Sequence, residues 1–99
     1  MPAEPPAAAT AVPDVLDGDI AAFVVERFLP GVDAEELDPD YDLLATAVID
    51  SLGILHVAAW LEQRYGIVLP DADLAGRNFR TVAAIRAVAE RAARGEGGA

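Results

Sequence analysis

Three stretches of this chain repeat apolar side chains at the helical period, and Pro30-Gly31 and Gly66 close the first two of them. That pattern confines the fold to packed helices. In the first stretch Leu16, Ile20, Phe23, Val24 and Phe28 recur at helical spacing. Asp14 or Asp17 caps its start, and the acidic Asp17 and Asp19 suit its positive end. The second runs from Ser51 to about Tyr65, with Asp50 or Ser51 as the cap and Gly66 as the stop. At ~100° per residue, Ile54, Val57, Ala58, Leu61 and Tyr65 share a core face. Leu52, His56, Ala59 and Gln63 share the opposite face, flanked by Leu55 and Trp60. The third opens at Thr81, a good N-cap, with Val82, Ile85, Val88, Ala89 and Ala92 inward. Arg86, Glu90, Arg91 and Arg94 face water there.

The connections carry information too. A long acidic segment reaches from Pro30 to about residue 49, with apolar residues of its own at Leu37, Tyr41, Leu43 and Leu44. Those anchors predict a loop that lies on the core. Ile67-Val68-Leu69-Pro70 reads as a short extended link, Asp71 to Asn78 as one short helical turn, and Phe79 as the next core anchor. The expected fold is all-α: a small irregular four-helix bundle of three main helices and one short one, with a long first loop. The domain is expected over residues 14–94. Residues 1–13 read as a disordered Pro/Ala-rich tail and residues 95–99 as a flexible one.

Composition narrows the chemistry. At 99 residues the chain has room for one domain. There is no cysteine, which removes disulfides, thiolate metal sites and a cysteine nucleophile. The lone histidine, His56, makes a histidine-based zinc site untenable. No apolar run approaches the ~18 residues of a membrane span. The N-terminus lacks the cationic start of a secretory signal, so a cytoplasmic location is expected. Net charge is −10, with twelve acids and one base in residues 1–50 against five acids and six arginines in residues 51–99. Such a surface repels nucleic acid and anionic lipid and attracts basic protein surfaces. A small, acidic, helical chain without cysteine or lysine suits a binding module better than an enzyme.

The informative run is Val48-Ile49-Asp50-Ser51-Leu52-Gly53. A serine at the first position of a helix sits where unpaired N–H groups and the helix dipole converge, a place that favours a phosphate. Alone, Asp-Ser before a helix is only a cap. Other chemistries fail on spacing. Asp38-Pro39-Asp40-Tyr41-Asp42 starts like a calcium loop, but the positions that need glycine and glutamate hold Leu43 and Ile49. Ile49 to Gly53 is not a nucleophile elbow. His56, about 140° around the helix from Ser51, is out of reach as its base.

The wider pattern resembles the acyl carrier and peptidyl carrier protein family over about residues 15–92. Besides Asp50-Ser51-Leu52, Leu37 and Leu43 lie where that family anchors its first loop. Leu61-Glu62-Gln63-Arg64-Tyr65-Gly66-Ile67 matches the end of its second helix, and Thr81-Val82 with Ile85 the start of its last. The resemblance implies a four-helix bundle with 4′-phosphopantetheine on Ser51, installed from coenzyme A by a phosphopantetheinyl transferase with Mg²⁺. Asp50 would assist recognition or metal-assisted transfer. The thiol of the arm then holds an acyl or aminoacyl group as a thioester, and the chain itself performs no chemistry.

Three departures point away from the bulk fatty-acid branch. Val48 replaces its usual glycine, the second helix carries only Glu62 offset by Arg64, and His56 stands where an acid is common. Ile49 to Gly53 and Arg77-Asn78-Phe79-Arg80 look more like discrete carriers, such as D-alanyl carriers and those of antibiotic, polyketide and nonribosomal peptide pathways. The expectation is a freestanding, monomeric carrier. It would meet the transferase, a loading enzyme and a downstream synthase or transferase through Leu52, Leu55, His56, Ala59 and Trp60. Trp60 either joins that face or folds over the bundle edge. The competing reading is an acidic binding module, a nucleic-acid mimic or inhibitor without a prosthetic group.

Overall fold

The computed structural model describes residues 15–95, so the Pro/Ala-rich segment 1–13 and residues 96–99 lie outside it. Three α-helices carry the structure: α1 Asp17–Phe28, α2 Ser51–Tyr65 and α3 Val82–Ala93. All described residues are helical, turn or irregular, as an all-α chain requires. None of the described helices is long and apolar enough to cross a membrane.

Each helix begins and ends for a local reason. Asp50 caps α2 by accepting the Gly53 N–H, and Gly66 closes it in the left-handed conformation at φ 73°. Thr81 caps α3 through the Ala84 N–H. The start of α1 departs from expectation: its N-cap is Leu16, with no side-chain cap. The Leu16 carbonyl accepts the Asp19 and Ile20 N–H groups instead. Val15 fills the core that Leu16 was expected to enter, leaving Leu16 47% exposed.

The core is one cluster. Ile20 and Val24 of α1, Val57 and Leu61 of α2, and Ile85 and Val88 of α3 meet in it with Phe79. Helices α1 and α2 run antiparallel: Tyr65 reaches Asp19 at one end, and Phe28 meets Gly53 and His56 at the other. Asp19 also pairs with Arg64 at 3.5 Å. Burial of the Tyr65 ring, then its hydrogen bond to the Asp19 carboxylate, hold the phenol above its usual pKa.

The first loop lies on the core. Leu37 and Leu43 are buried, while Tyr41 is 43% exposed and is no anchor. It sits between two turns held by aspartates, Asp38 accepting the Asp40 N–H and Asp42 those of Leu44 and Ala45, which turn it outward. A 3-10 turn, Ala34–Glu36, precedes them. The loop is also pinned to α3 and the residues just before it: Leu43 N–H donates to the Arg80 carbonyl, Ala83 N–H to that of Pro39, and Arg80 pairs with Asp42 at 2.9 Å.

Where one short helix was expected, two 3-10 turns stand, Asp71–Asp73 and Gly76–Asn78. Eight residues interrupted by Gly76 gain too few helical hydrogen bonds to offset nucleation. Ile67 and Leu69 of the preceding link point inward and Val68 outward, the alternation of extended chain.

Candidate functional site

The approach to α2 is a sharply folded corner. The Asp42 carboxylate accepts the Leu44 and Ala45 N–H groups, and the Thr46 hydroxyl donates to the Asp42 carbonyl. The bond from Ala45 N–H, then the Arg80 guanidinium, hold Asp42 below the usual carboxylate range. Ala47 N–H donates to the Leu44 carbonyl and Val48 N–H to that of Leu43, the bond pair of a Schellman motif. Its left-handed position, normally glycine, is Ala47 at φ 62°. Ile49 then enters the core and Asp50 turns extended into its cap.

Ser51 is the first residue of α2 and is exposed. Asp50 takes the Gly53 N–H at 2.9 Å. Among the described residues the Ser51 and Leu52 N–H groups have no acceptor, so the positive end of the helix is open beside the hydroxyl. The helix end is held by contact with α1. Gly53 is buried so closely that an added Cβ would stand 2.9 Å from Ile49 Cγ2 and 3.4 Å from the Phe28 ring.

Beside Ser51 lies an open groove of about 650 Å³. Ser51, Asp50, Ile54 and Leu55 form one wall, Leu44, Ala47 and Ile49 of the loop another, and Leu74 and Gly76 the third. Apart from Asp50 and Ser51 its lining side chains are apolar. In the sequence Leu44 reads only as a loop anchor, and nothing there marks Ala47, Leu74 and Gly76 as neighbours of Ser51. Their separation along the chain hides that grouping.

The expected contact face divides. Leu52 and Leu55 are 59% and 52% exposed, and Ala59 and Gln63 are exposed as well. His56 and Trp60 are half-buried along α1. Trp60 stacks on Phe23 with centroids 4.8 Å apart and meets the Tyr65 edge at 5.7 Å, so it folds over the bundle edge. His56 lies over Phe28 at 6.4 Å, with its Nδ1 buried and unbonded. Counting about 100° per residue from Ser51, Leu55 lies near 40°, Ala59 near 80° and Leu52 near 100°, while His56 and Trp60 fall near 140° and 180°. The structure therefore gathers Ser51, Leu55, Ala59 and Leu52 on one exposed arc, with exposed Asp50 just before it in the chain. It turns His56 and Trp60 toward the α1 seam.

No three acids or histidines among the described residues are placed to hold a metal. Asp33, Asp38 and Asp42 serve the backbone of their own turns.

Comparisons with known proteins agree on one kind of relative. The chain is 36% identical over 61 residues to the meromycolate extension acyl carrier protein of Mycobacterium tuberculosis (strain ATCC 25618 / H37Rv), covering 62% of this chain and 50% of that one. It is 37% identical over 59 residues to an acyl carrier protein of Rhodococcus erythropolis (strain PR4 / NBRC 100887), covering 60% of this chain and 62% of that one. The chain thus spans about half the length of the mycobacterial relative. The solved structure of apo KstB-PCP, a peptidyl carrier protein, superposes with a TM-score of 0.63 at 47% identity over 73% of this chain and 79% of that one. The family described as "Phosphopantetheine attachment site" matches residues 26–88, more than half of the chain, and this protein belongs to that family of carrier proteins.

Proposed function

We propose that Ser51 is the attachment residue and that the chain tethers biosynthetic intermediates as thioesters on the arm it holds. The family carries 4′-phosphopantetheine on a serine and its members are carriers, not enzymes. The observation that supports Ser51 is its exposed hydroxyl at the open positive end of α2, beside an apolar groove. The residues present fit the group. The hydroxyl is free to form the phosphodiester, the unpaired Ser51 and Leu52 N–H groups favour its negative charge, and the groove accepts an apolar chain. When bound, the group supplies a terminal thiol for thioester chemistry. The protein's part is to present Ser51 on a rigid helix end, which Asp50 and the Gly53–Phe28 contact hold in place.

Carrier proteins of this family work with a phosphopantetheinyl transferase and synthase enzymes. For this chain, Leu52, Leu55 and Ala59 form the centre of the docking face, with His56 and Trp60 at its α1 edge. Asp50 assists the transferase. The neighbours include both acyl carriers and a peptidyl carrier. The neutral second helix supports a specialised polyketide, nonribosomal peptide or related pathway, with the protein acting as a monomer in the cytoplasm.

The test is direct. Incubating the apo protein with coenzyme A, Mg²⁺ and a permissive transferase should add one phosphopantetheine by intact mass, and Ser51→Ala should add none. An adduct on that variant, or none on the wild type with several transferases, defeats the assignment.

A further inference from the structure

Arg27 is the one base among the twelve acids of residues 1–50, and it is exposed near the end of α1. Arg64, Arg80 and Arg86 each pair with a carboxylate, whereas among the described residues no carboxylate pairs with Arg27. Arg27 instead lines a hollow of about 170 Å³ at the α1–α2 seam. Phe23 lies one turn before it on α1, and His56, Ala59, Trp60 and Gln63 complete the lining from α2. The polar side chains there share one character. Arg27 donates from a fixed fork and Gln63 from its amide, while the His56 ring, stacked over Phe28, keeps Nδ1 buried and leaves Nε2 open. No carboxylate lines the hollow. Asp19 and Glu26 line a second hollow, which shares the Phe23–Trp60 stack.

We propose that this hollow is an anion site that takes the side-chain carboxylate of an aspartate or glutamate on a docking enzyme. The guanidinium fork matches a carboxylate with two parallel hydrogen bonds, and the Phe23 and Trp60 rings accept the apolar stem that carries it. A cationic guest would meet Arg27 with no acid in the lining to offset it. The occupant is a partner's side chain rather than a free acid for two reasons. A chain of net charge −10 repels a free anion that has no other contact. Ala59 belongs both to the hollow and to the exposed arc with Leu52 and Leu55, so an enzyme seated on that arc covers the hollow as well. The contact runs against the overall charge of the molecule. An acidic carrier selects basic surfaces at long range, and this site asks for one acid at a fixed place within them, which sets orientation. The proposal rests on the carrier reading above and adds the chemistry of one partner contact.

The hollow is probed first with benzoate, read by the fluorescence of Trp60, the only tryptophan in the chain. Benzoate should bind saturably in the millimolar range, and its neutral isostere benzamide about tenfold more weakly. Arg27→Gln should remove that preference. Arg77→Gln, an equal change of charge at an exposed arginine outside the hollow, should keep it. Both change exposed side chains, so their circular dichroism should match the wild type. The partner is tested by a cross-link. The chain has no lysine, so Arg27→Lys introduces a single one, which a carbodiimide joins to a carboxylate in contact with it. Mixed with the cognate loading enzyme, this variant should give a cross-link from the new lysine to an aspartate or glutamate of the enzyme by mass spectrometry, and Arg77→Lys should not. Loading of Arg27→Gln should show a raised KM with kcat unchanged. Equal binding of benzoate and benzamide, or a preference that survives Arg27→Gln, overturns the anion site. Benzoate binding without the cross-link and with an unchanged KM makes the hollow a site for free carboxylates and overturns the partner assignment. Failure of the carrier reading looks different, because no phosphopantetheine is then added to the wild type while benzoate still binds.

Discussion

The Asp50 carboxylate accepts the Gly53 N–H at 2.9 Å, and Gly53 itself is buried against Phe28 and Ile49. One residue thus closes the first turn of α2 and the other fixes that turn on α1, with exposed Ser51 between them. Stability and modification are separable at Asp50. Loss of such a cap to alanine costs about 0.5–2 kcal/mol. Asp50→Ala should lower the urea midpoint accordingly, whereas Asp50→Asn keeps an acceptor oxygen and most of the stability. If the charge assists the transferase, Asp50→Asn should still slow modification. Wild-type stability in Asp50→Ala would mean that the cap contributes nothing.

Ala47 occupies a left-handed backbone position at φ 62°. The left-handed region costs a residue with a Cβ roughly 1–2 kcal/mol, and glycine escapes that cost while losing more chain entropy on folding. Ala47→Gly should therefore stabilise the domain by about 1 kcal/mol. Chemical denaturation reads the change directly, and a destabilised variant would show that the Ala47 methyl contributes more by packing than its backbone costs.

Tyr65 ties the end of α2 to the start of α1 through its 2.7 Å bond to Asp19. Its pKa is raised in the folded state by burial and by that carboxylate. Between the unfolded value, about 10, and the raised folded value, the unfolded chain has lost the proton and the folded one has kept it. The contribution is complete below the unfolded value and is lost as pH rises through the folded one. Melting temperature should fall more steeply at alkaline pH in the wild type than in Tyr65→Phe. Parallel profiles would remove Tyr65 from the alkaline transition.

The docking face predicts a contrast between salt and side chain. Attraction between exposed charges fades as the Debye length falls from about 10 Å at 0.1 M to 3 Å at 1 M, while apolar burial persists. Loading by a cognate enzyme should survive salt better than it survives Leu52→Ala or Leu55→Ala, both on exposed positions that leave the melting temperature near wild type. Trp60→Ala should instead lower the melting temperature, because it removes the stack on Phe23. The acidic loop still steers approach, so the association rate should fall with salt even where the final complex holds. Normal loading by both leucine variants, with loading abolished by salt, would move docking to the loop around Asp38, Asp40 and Asp42.

What the sequence determined by itself is local in origin. The bounds of α2, the Asp50 and Thr81 caps and the stop at Gly66 depend on hydrogen bonds between residues a few positions apart, and their donors and acceptors stand next to one another in the chain. The inward positions of Ile54, Val57 and Leu61 follow from the helical period in the same way. What only the tertiary structure decided depends on neighbours distant in sequence. Trp60 was open to the contact face or the bundle edge, and His56 was expected on the contact face, until Phe23 and Phe28 were placed beside them. Burial of Val15 rather than Leu16, and the outward turn of Tyr41, depend on which side chain reaches the shared core. The groove beside Ser51 has three walls from segments up to about thirty residues apart, so its lining exists only once the first loop is pinned to Arg80 and the link before α3 is folded against Leu44. Periodicity specifies the face a helix buries. Which partner covers that face, and what space is left between them, is set by packing alone.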